Sequence, residues 1–104
     1  MINKPEVSIV MNCHNGEKYL VEAINSILKQ TFKNWELIFW NNSSNDKSEE
    51  IFKSYKDKRL RYFYTPKKVS LYVSRNAAVK KARGKFIAFL DVDDIWLPNK
   101  LKLQ

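Results

Sequence analysis

Three of the four acids in residues 51–104 stand together as Asp91, Asp93 and Asp94, directly after the apolar run Phe86-Ile87-Ala88-Phe89-Leu90. Carboxylates crowded at the mouth of a buried segment repel one another unless a cation or a positive side chain offsets them. Hard cations such as Mg²⁺ and Mn²⁺ take one or two such carboxylates together with oxygens of a bound phosphate. The competing reading has Asp93 or Asp94 capping the next turn while the others face water. Arg75 offers a planar fork that suits a phosphate, a base edge or the aspartates themselves, and is otherwise one more solvated cation. Asn41, Asn42, Ser43, Ser44 and Asn45 either form the turn that Asn and Ser favour or present donors and acceptors to a ligand. His14 is the only histidine, which excludes metal sites built from several imidazoles and leaves a loop hydrogen bond or a stacking surface. Cys13 beside it has no second histidine and no nearby acid to complete a nucleophilic triad. With two glycines in 104 residues, neither a G-x-G-x-x-G turn nor a Walker loop is present, so dinucleotide-binding Rossmann enzymes and P-loop nucleotidases are disfavoured.

These groups must be carried by regular elements, and the apolar pattern supplies them. Val7-Ser8-Ile9-Val10-Met11 reads as a short buried strand, broken by Asn15-Gly16. Tyr19, Leu20, Ala23, Ile24, Ile27 and Leu28 share one face of a three-turn helix. Trp35 to Trp40 is a second buried strand. Asp46, with Glu49 three residues on, signals the start of a short helix whose apolar side is Ile51, Phe52 and Tyr55. Leu60 to Tyr64 is a third strand. Ser70 can cap a third helix with a small-residue face at Ala77, Ala78 and Ala82, ended by Arg83-Gly84 in the manner of a C-terminal glycine. Phe86 to Leu90 is the clearest buried strand of the chain, and Pro98 suits the first turn of a further helix. A β-α-β-α-β-α-β order with continuous apolar strands predicts an α/β fold, a mostly parallel sheet flanked by helices. In such folds ligands sit beyond the carboxyl ends of the strands, which is where Asn12 to Gly16, Asn41 to Asp46 and Asp91 to Asp94 fall.

Composition sets the outer limits. The chain carries 19 Lys and Arg against 11 Asp and Glu, with 44% hydrophobic residues, the balance of a folded domain and not of a disordered tail. One domain over residues 1–104 is the expected organisation. The single cysteine excludes an internal disulfide and suits a reducing compartment. No secretory or membrane-spanning segment is visible. Residues 1–50 carry five Lys and seven acids, and residues 51–104 carry fourteen basic residues and four acids. All of the excess positive charge therefore lies in the second half, where it attracts anions or simply forms a solvated face.

Taken in order, these segments resemble the start of an inverting family-2 glycosyltransferase with the GT-A fold, a Rossmann-like nucleotide-binding unit. The resemblance runs through Val7 to Met11 with His14-Asn15-Gly16-Glu17-Lys18-Tyr19-Leu20, through Ser26 to Phe32, through Ser74-Arg75-Asn76-Ala77-Ala78, and through Gly84 to Pro98. It implies a nucleotide-diphospho-sugar donor, with a UDP-sugar favoured, and a divalent cation, Mn²⁺ or Mg²⁺. Asp91 and Asp93 match the family's D-x-D, which implies Asp93 on the metal and Asp91 near the ribose or metal. Arg75 matches an arginine that contacts the nucleotide. Asn12 and His14 match the loop lining the base, with His14 where an aromatic residue often stacks. The resemblance further implies polysaccharide or glycoconjugate synthesis of the bacterial kind, in the cytoplasm or at the cytoplasmic face of the membrane, with peripheral membrane association as an option.

Two departures stand out. Where the family has an aspartate pair followed by Gly-Ser, this chain reads Asn41-Asn42-Ser43-Ser44. Asn42 can still accept a hydrogen bond from a base, without charge and with two donors of its own. The family's catalytic base and acceptor site lie beyond the aspartate cluster, so residues 1–104 are expected to be a truncated donor half with no catalytic residue of its own and its base past Gln104. Two rival classes remain. One is a basic nucleic-acid-binding module using Tyr62, Phe63 and Tyr64 as a stacking surface; nucleic acid is not the expected partner, because alternate residues of a strand cannot all stack on bases. The other is a non-catalytic unit that self-associates through exposed sheet edges.

Overall fold

The structure is a computed structural model that describes residues 4–92. Its elements run β1 (Val7–Cys13), α1 (Glu17–Leu28), β2 (Trp35–Asn42), α2 (Ser48–Lys53), β3 (Leu60–Thr65), α3 (Leu71–Lys81) and β4 (Phe86–Phe89). All pairings are parallel and the strand order is β3-β2-β1-β4. The α/β architecture expected from the apolar pattern is the one observed.

Strand order decides which helices cover which face. The chain steps from β1 to β2 to β3 in one direction, then crosses back over the sheet to β4. Right-handed crossovers put α1 and α2 on one face and α3 on the other. Alternation along the strands follows. Ile9, Met11 and Cys13, with Leu37 and Phe39, point to the first face and form the main core with Leu20, Ala23, Ile24, Ile27 and Phe52. Val10 and Ile38 point the other way and meet Ala78 of α3, with Trp40, Phe63 and Ala82 around them. The small-residue side of α3 thus packs against the sheet as its sequence suggests.

Several expectations are corrected. Phe86 to Leu90 is not a buried strand: β4 is an edge strand among the described residues, and Phe86 and Phe89 are 61% and 48% exposed. Tyr19 is 45% exposed although it shares the apolar helical spacing. Asp46 does not cap α2 from its N-cap position, which Lys47 occupies; its Oδ1 accepts from the Ser48 N–H one step earlier. Ser70 does cap α3, accepting from the Val73 N–H. At the other end of α3, Ala82 closes the helix in an extended conformation and Gly84 has no positive φ. The reason for a glycine there is space, since a Cβ would come 2.7 Å from the Ser8 backbone nitrogen and from Ser8 Oγ. The helix expected at Pro98 lies outside the described residues, as do Asp93 and Asp94.

Tyr62 and Phe63 are occupied inside the fold. Tyr62 stacks on Phe39 and Phe63 on Trp40, on opposite faces of the sheet. They form no common platform for bases. No helix among the described residues is long and apolar enough to cross a membrane.

Candidate functional site

The return crossover makes the β1–β4 boundary the topological switch point, the place where neighbouring connections leave in opposite directions and open a crevice at the carboxyl ends. Residues following β1 and β4 meet there. Val10 pairs with Phe89, so Asn12 and Asp91, two residues further along adjacent strands, lie on the same side, facing α3. Because α3 runs antiparallel to the strands, its first turns reach this end of the sheet and bring Arg75 to Asp91. Arg75 Nη2 donates to Asp91 Oδ1 at 3.3 Å, and the guanidinium lies over the Phe89 ring at 5.2 Å. Both partners are open to solvent, with side chains 38% and 59% exposed, so the pair holds geometry more than it adds stability.

Asn12 supplies a further observation. Its Oδ1 is buried and has no hydrogen-bond partner, and a buried acceptor of this kind calls for a donor or a cation. The divalent cation implied by the resemblance can be weighed on these groups. Asp91 and Asn12 both offer oxygen, the ligand type that Mg²⁺ and Mn²⁺ prefer, and these ions keep water and phosphate as their remaining ligands. No group of three His, Cys, Asp or Glu side chains converges among the described residues. Among the described residues the donor set is therefore compatible with a cation shared with a bound phosphate.

His14 and Asn42 are also brought together, though not by their side chains alone. His14 Nδ1 lies 2.7 Å from the Asn42 carbonyl oxygen. A carbonyl only accepts, so the proton is on Nδ1, and Nε2 is left to accept from Asn15 Nδ2 at 3.4 Å. The ring is held at two points and its faces are exposed. The Asn42 side chain, by contrast, is 5% exposed and turned toward the β3–α3 loop. Asn41 is fully buried; its Nδ2 donates to the Tyr62 hydroxyl and its Oδ1 accepts from the Ser44 N–H, which shapes the turn after β2. That turn needs a left-handed residue, and Ser43 takes it with φ 55°.

The polar residues after β2 have a structural task that the sequence did not reveal. They clamp the β1–α1 loop: Ser44 Oγ accepts from the Asn15 N–H, Ser48 Oγ from the Gly16 N–H, and Asp46 Oδ2 from the Glu17 N–H. Burial pushes the Asp46 carboxyl up, but hydrogen bonds from the Ser48 side chain and from the Ser48 and Glu17 N–H groups outweigh it and hold it below the usual value. The amides at the start of α1 are thereby satisfied by the protein itself, so this helix end is not the open phosphate cradle of dinucleotide-binding folds. Gly16 is confined as well, since a Cβ there would come 2.8 Å from Val92 and 2.9 Å from Cys13 Sγ. Cys13 is buried, and burial pushes its thiol up; it is a core residue, as its lack of partners in the sequence suggests.

Known proteins share this fold. Residues 8–104 match the profile of Glycosyl transferase family 2. An uncharacterised glycosyltransferase of Methanocaldococcus jannaschii is 48% identical over 107 residues, covering 99% of this chain and 37% of that protein. The Escherichia coli UDP-Glc:alpha-D-GlcNAc-diphosphoundecaprenol beta-1,3-glucosyltransferase WfgD is 41% identical over 98 residues, covering 94% of this chain and 39% of WfgD. Among solved structures, Staphylococcus aureus TarS 1–349 in complex with UDP-GlcNAc superposes with a TM-score of 0.86 at 30% identity, over 93% of this chain and 29% of TarS 1–349. The chain thus spans well under half the length of the relatives it matches.

Proposed function

The chain belongs to glycosyl transferase family 2, and on that premise we propose that it forms the donor-binding part of an enzyme that moves a sugar from a nucleotide-diphospho-sugar to an acceptor hydroxyl, with inversion at the anomeric carbon. The observation that carries this reading lies at the switch point, where the Arg75–Asp91 pair and the unpartnered Oδ1 of Asn12 fall at the carboxyl ends of adjacent strands. A UDP-sugar is the preferred donor, in line with the UDP-Glc in the name of WfgD and the UDP-GlcNAc bound by TarS.

The side chains divide the work. His14, oriented by Asn42 and Asn15, offers a ring face for the base. Asn12 Oδ1 accepts a hydrogen bond from the ligand. Arg75 keeps Asp91 in place and adds positive charge next to the diphosphate. Mn²⁺ or Mg²⁺, held by Asp91 and Asp93, would supply the charge that stabilises the departing nucleoside diphosphate. The base that deprotonates the acceptor is expected beyond residue 104. A cytoplasmic location is part of the same reading, supported by the lone buried thiol of Cys13. A bacterial polysaccharide or glycoconjugate as product is likewise proposed.

Calorimetric titration of UDP, GDP and CDP, with and without Mn²⁺, tests the proposal. Saturable binding that requires Mn²⁺, is lost in Asp93→Ala and survives in Lys81→Ala is expected. Equal loss in both variants would overturn the site assignment.

A further inference from the structure

The end of β2 is fastened to the segment that leads into α3 by four side-chain hydrogen bonds. Trp40 Nε1 donates to Thr65 Oγ1 at 2.7 Å, and Ser43 Oγ donates to the Pro66 carbonyl at 3.1 Å. Asn42 makes the other two, both to one residue: its Nδ2 donates to the Val69 carbonyl at 2.7 Å and its Oδ1 accepts from the Val69 N–H at 2.9 Å. The amide closes a ring with a single backbone unit, which is the pairing a neighbouring strand would make. Asn42 also receives the His14 imidazole on its own carbonyl. Three segments meet at this residue: the β1–α1 loop, the end of β2, and the β3–α3 loop.

From this the structure assigns Asn42 as a positioning residue that locks Val69, and through it the start of α3, rather than as a group that reads the nucleotide base. Val69 immediately precedes Ser70, the N-cap of α3, and Arg75 lies in the turns that follow. Fixing Val69 fixes the direction from which Arg75 approaches Asp91. The side-chain oxygen that could accept from a base is already bound, and one hydrogen of the amide nitrogen is given to the Val69 carbonyl. An ionised aspartate in this place would set its second oxygen against the Val69 carbonyl with no proton between them, and that repulsion would push the two apart and loosen the bond from the Val69 N–H as well. The departure at Asn42 is thus a requirement of this loop, and discrimination among bases falls to other groups.

The sign of a pH profile separates the two roles. In Asn42→Asp, protonation of the carboxyl restores a donor toward the Val69 carbonyl while the carbonyl oxygen keeps the Val69 N–H. That carboxyl is therefore raised in the folded state, and the lock is present below its titration and lost as pH rises through it. A base-reading aspartate behaves oppositely, because the ionised form is the better acceptor. At neutral pH we expect the Val69 amide of Asn42→Asp to exchange on the order of 10- to 100-fold faster than in the wild type, an increase that shrinks in acid. Asn42→Ala should show a similar increase with no recovery in acid. UDP, GDP and CDP should weaken by a common factor in Asn42→Asp. Unchanged Val69 exchange in both variants, or a change of preference among the three nucleotides that grows with pH, would overturn the assignment. The exchange measurement needs no ligand, so it stands whether or not the nucleotide reading does.

Discussion

Glu36 is the most consequential polar residue outside the crevice, and its removal should be costly. It lies on β2, 1% exposed, and its carboxylate is saturated. Oε2 accepts from the Ser8 hydroxyl at 2.6 Å and from the Arg83 N–H at 2.7 Å; Oε1 accepts from Arg61 Nη1 at 2.9 Å and Arg83 Nε at 3.0 Å. One side chain thereby ties β1, β2, β3 and the α3–β4 connection. Burial pushes this carboxyl up, and the four donors together outweigh that and hold it below its usual value. In Glu36→Ala the Arg61 and Arg83 side chains, 26% and 52% exposed, can turn to water. The buried Ser8 hydroxyl and the Arg83 amide are left with no acceptor, at roughly 1–3 kcal/mol each, so the expected loss is about 3 kcal/mol. That is a large share of the roughly 5–15 kcal/mol a domain possesses, and it should lower the urea midpoint by about 2 M. Because the folded carboxyl is depressed, its stabilisation is complete above the ordinary carboxylate value and lost as pH falls through the folded one. The advantage of wild type over Glu36→Gln should therefore narrow in acid. A loss below about 1 kcal/mol in Glu36→Ala, or an advantage over Glu36→Gln that ignores pH, would refute the reasoning.

Three shorter predictions follow from the same structure. Gly84→Ala should cost about 2 kcal/mol in thermal or urea unfolding, because the contacts it would strike at 2.7 Å are the Ser8 backbone and hydroxyl; a neutral outcome would mean that the α3–β4 connection can shift. Peripheral association with anionic membranes should depend on the strand N-terminal end: the wild type should sediment with phosphatidylglycerol vesicles, Lys58→Glu with Lys85→Glu should abolish this, and Lys67→Glu with Lys68→Glu, the same change of charge at the opposite end, should not. Equal loss in both pairs would show that net charge alone matters. The outer edge of β4, with Phe86 and Phe89 exposed, should make the isolated chain self-associate in sedimentation as concentration rises, and a monomer throughout the range would count against it.

Much of the fold is written in local pattern. The alternation of Val7 to Met11, the spacing of Leu20 to Ile27 and the cap at Ser70 are short-range signals, and each became the element it implied. The order of those elements is enough to require a parallel sheet with helices on both faces and to direct attention to residues after β1, β2 and β4. The family resemblance likewise rests on ordered segments legible without coordinates. What depends on distant partners was not legible. Phe86 to Phe89 reads as a core strand because its residues are apolar, but burial is set by what lies alongside, and β4 has one strand neighbour among the described residues. Glu36 sits unremarked in an apolar run because the residues that neutralise it, Ser8, Arg61 and Arg83, come from three other parts of the chain. Asn42 looks like a ligand-facing amide until Val69, 27 residues away, is found on both of its atoms.

Charge shows the same division. The sequence assigns the positive excess to the second half of the chain, whereas the fold assigns it to one end of the sheet. Residues 4–6, 29–34, 54–59 and 80–85, all at the amino ends of the strands, carry ten Lys and Arg against two acids. The connections at the carboxyl ends, where the crevice lies, are nearly balanced. Types, spacing and element order are properties of neighbouring residues, so the sequence by itself determined the fold class and the family. Pairing, burial and the sidedness of charge are properties of residues far apart in the chain, and only the tertiary structure decided which of the polar groups stay unpartnered at the switch point and which hold the protein together.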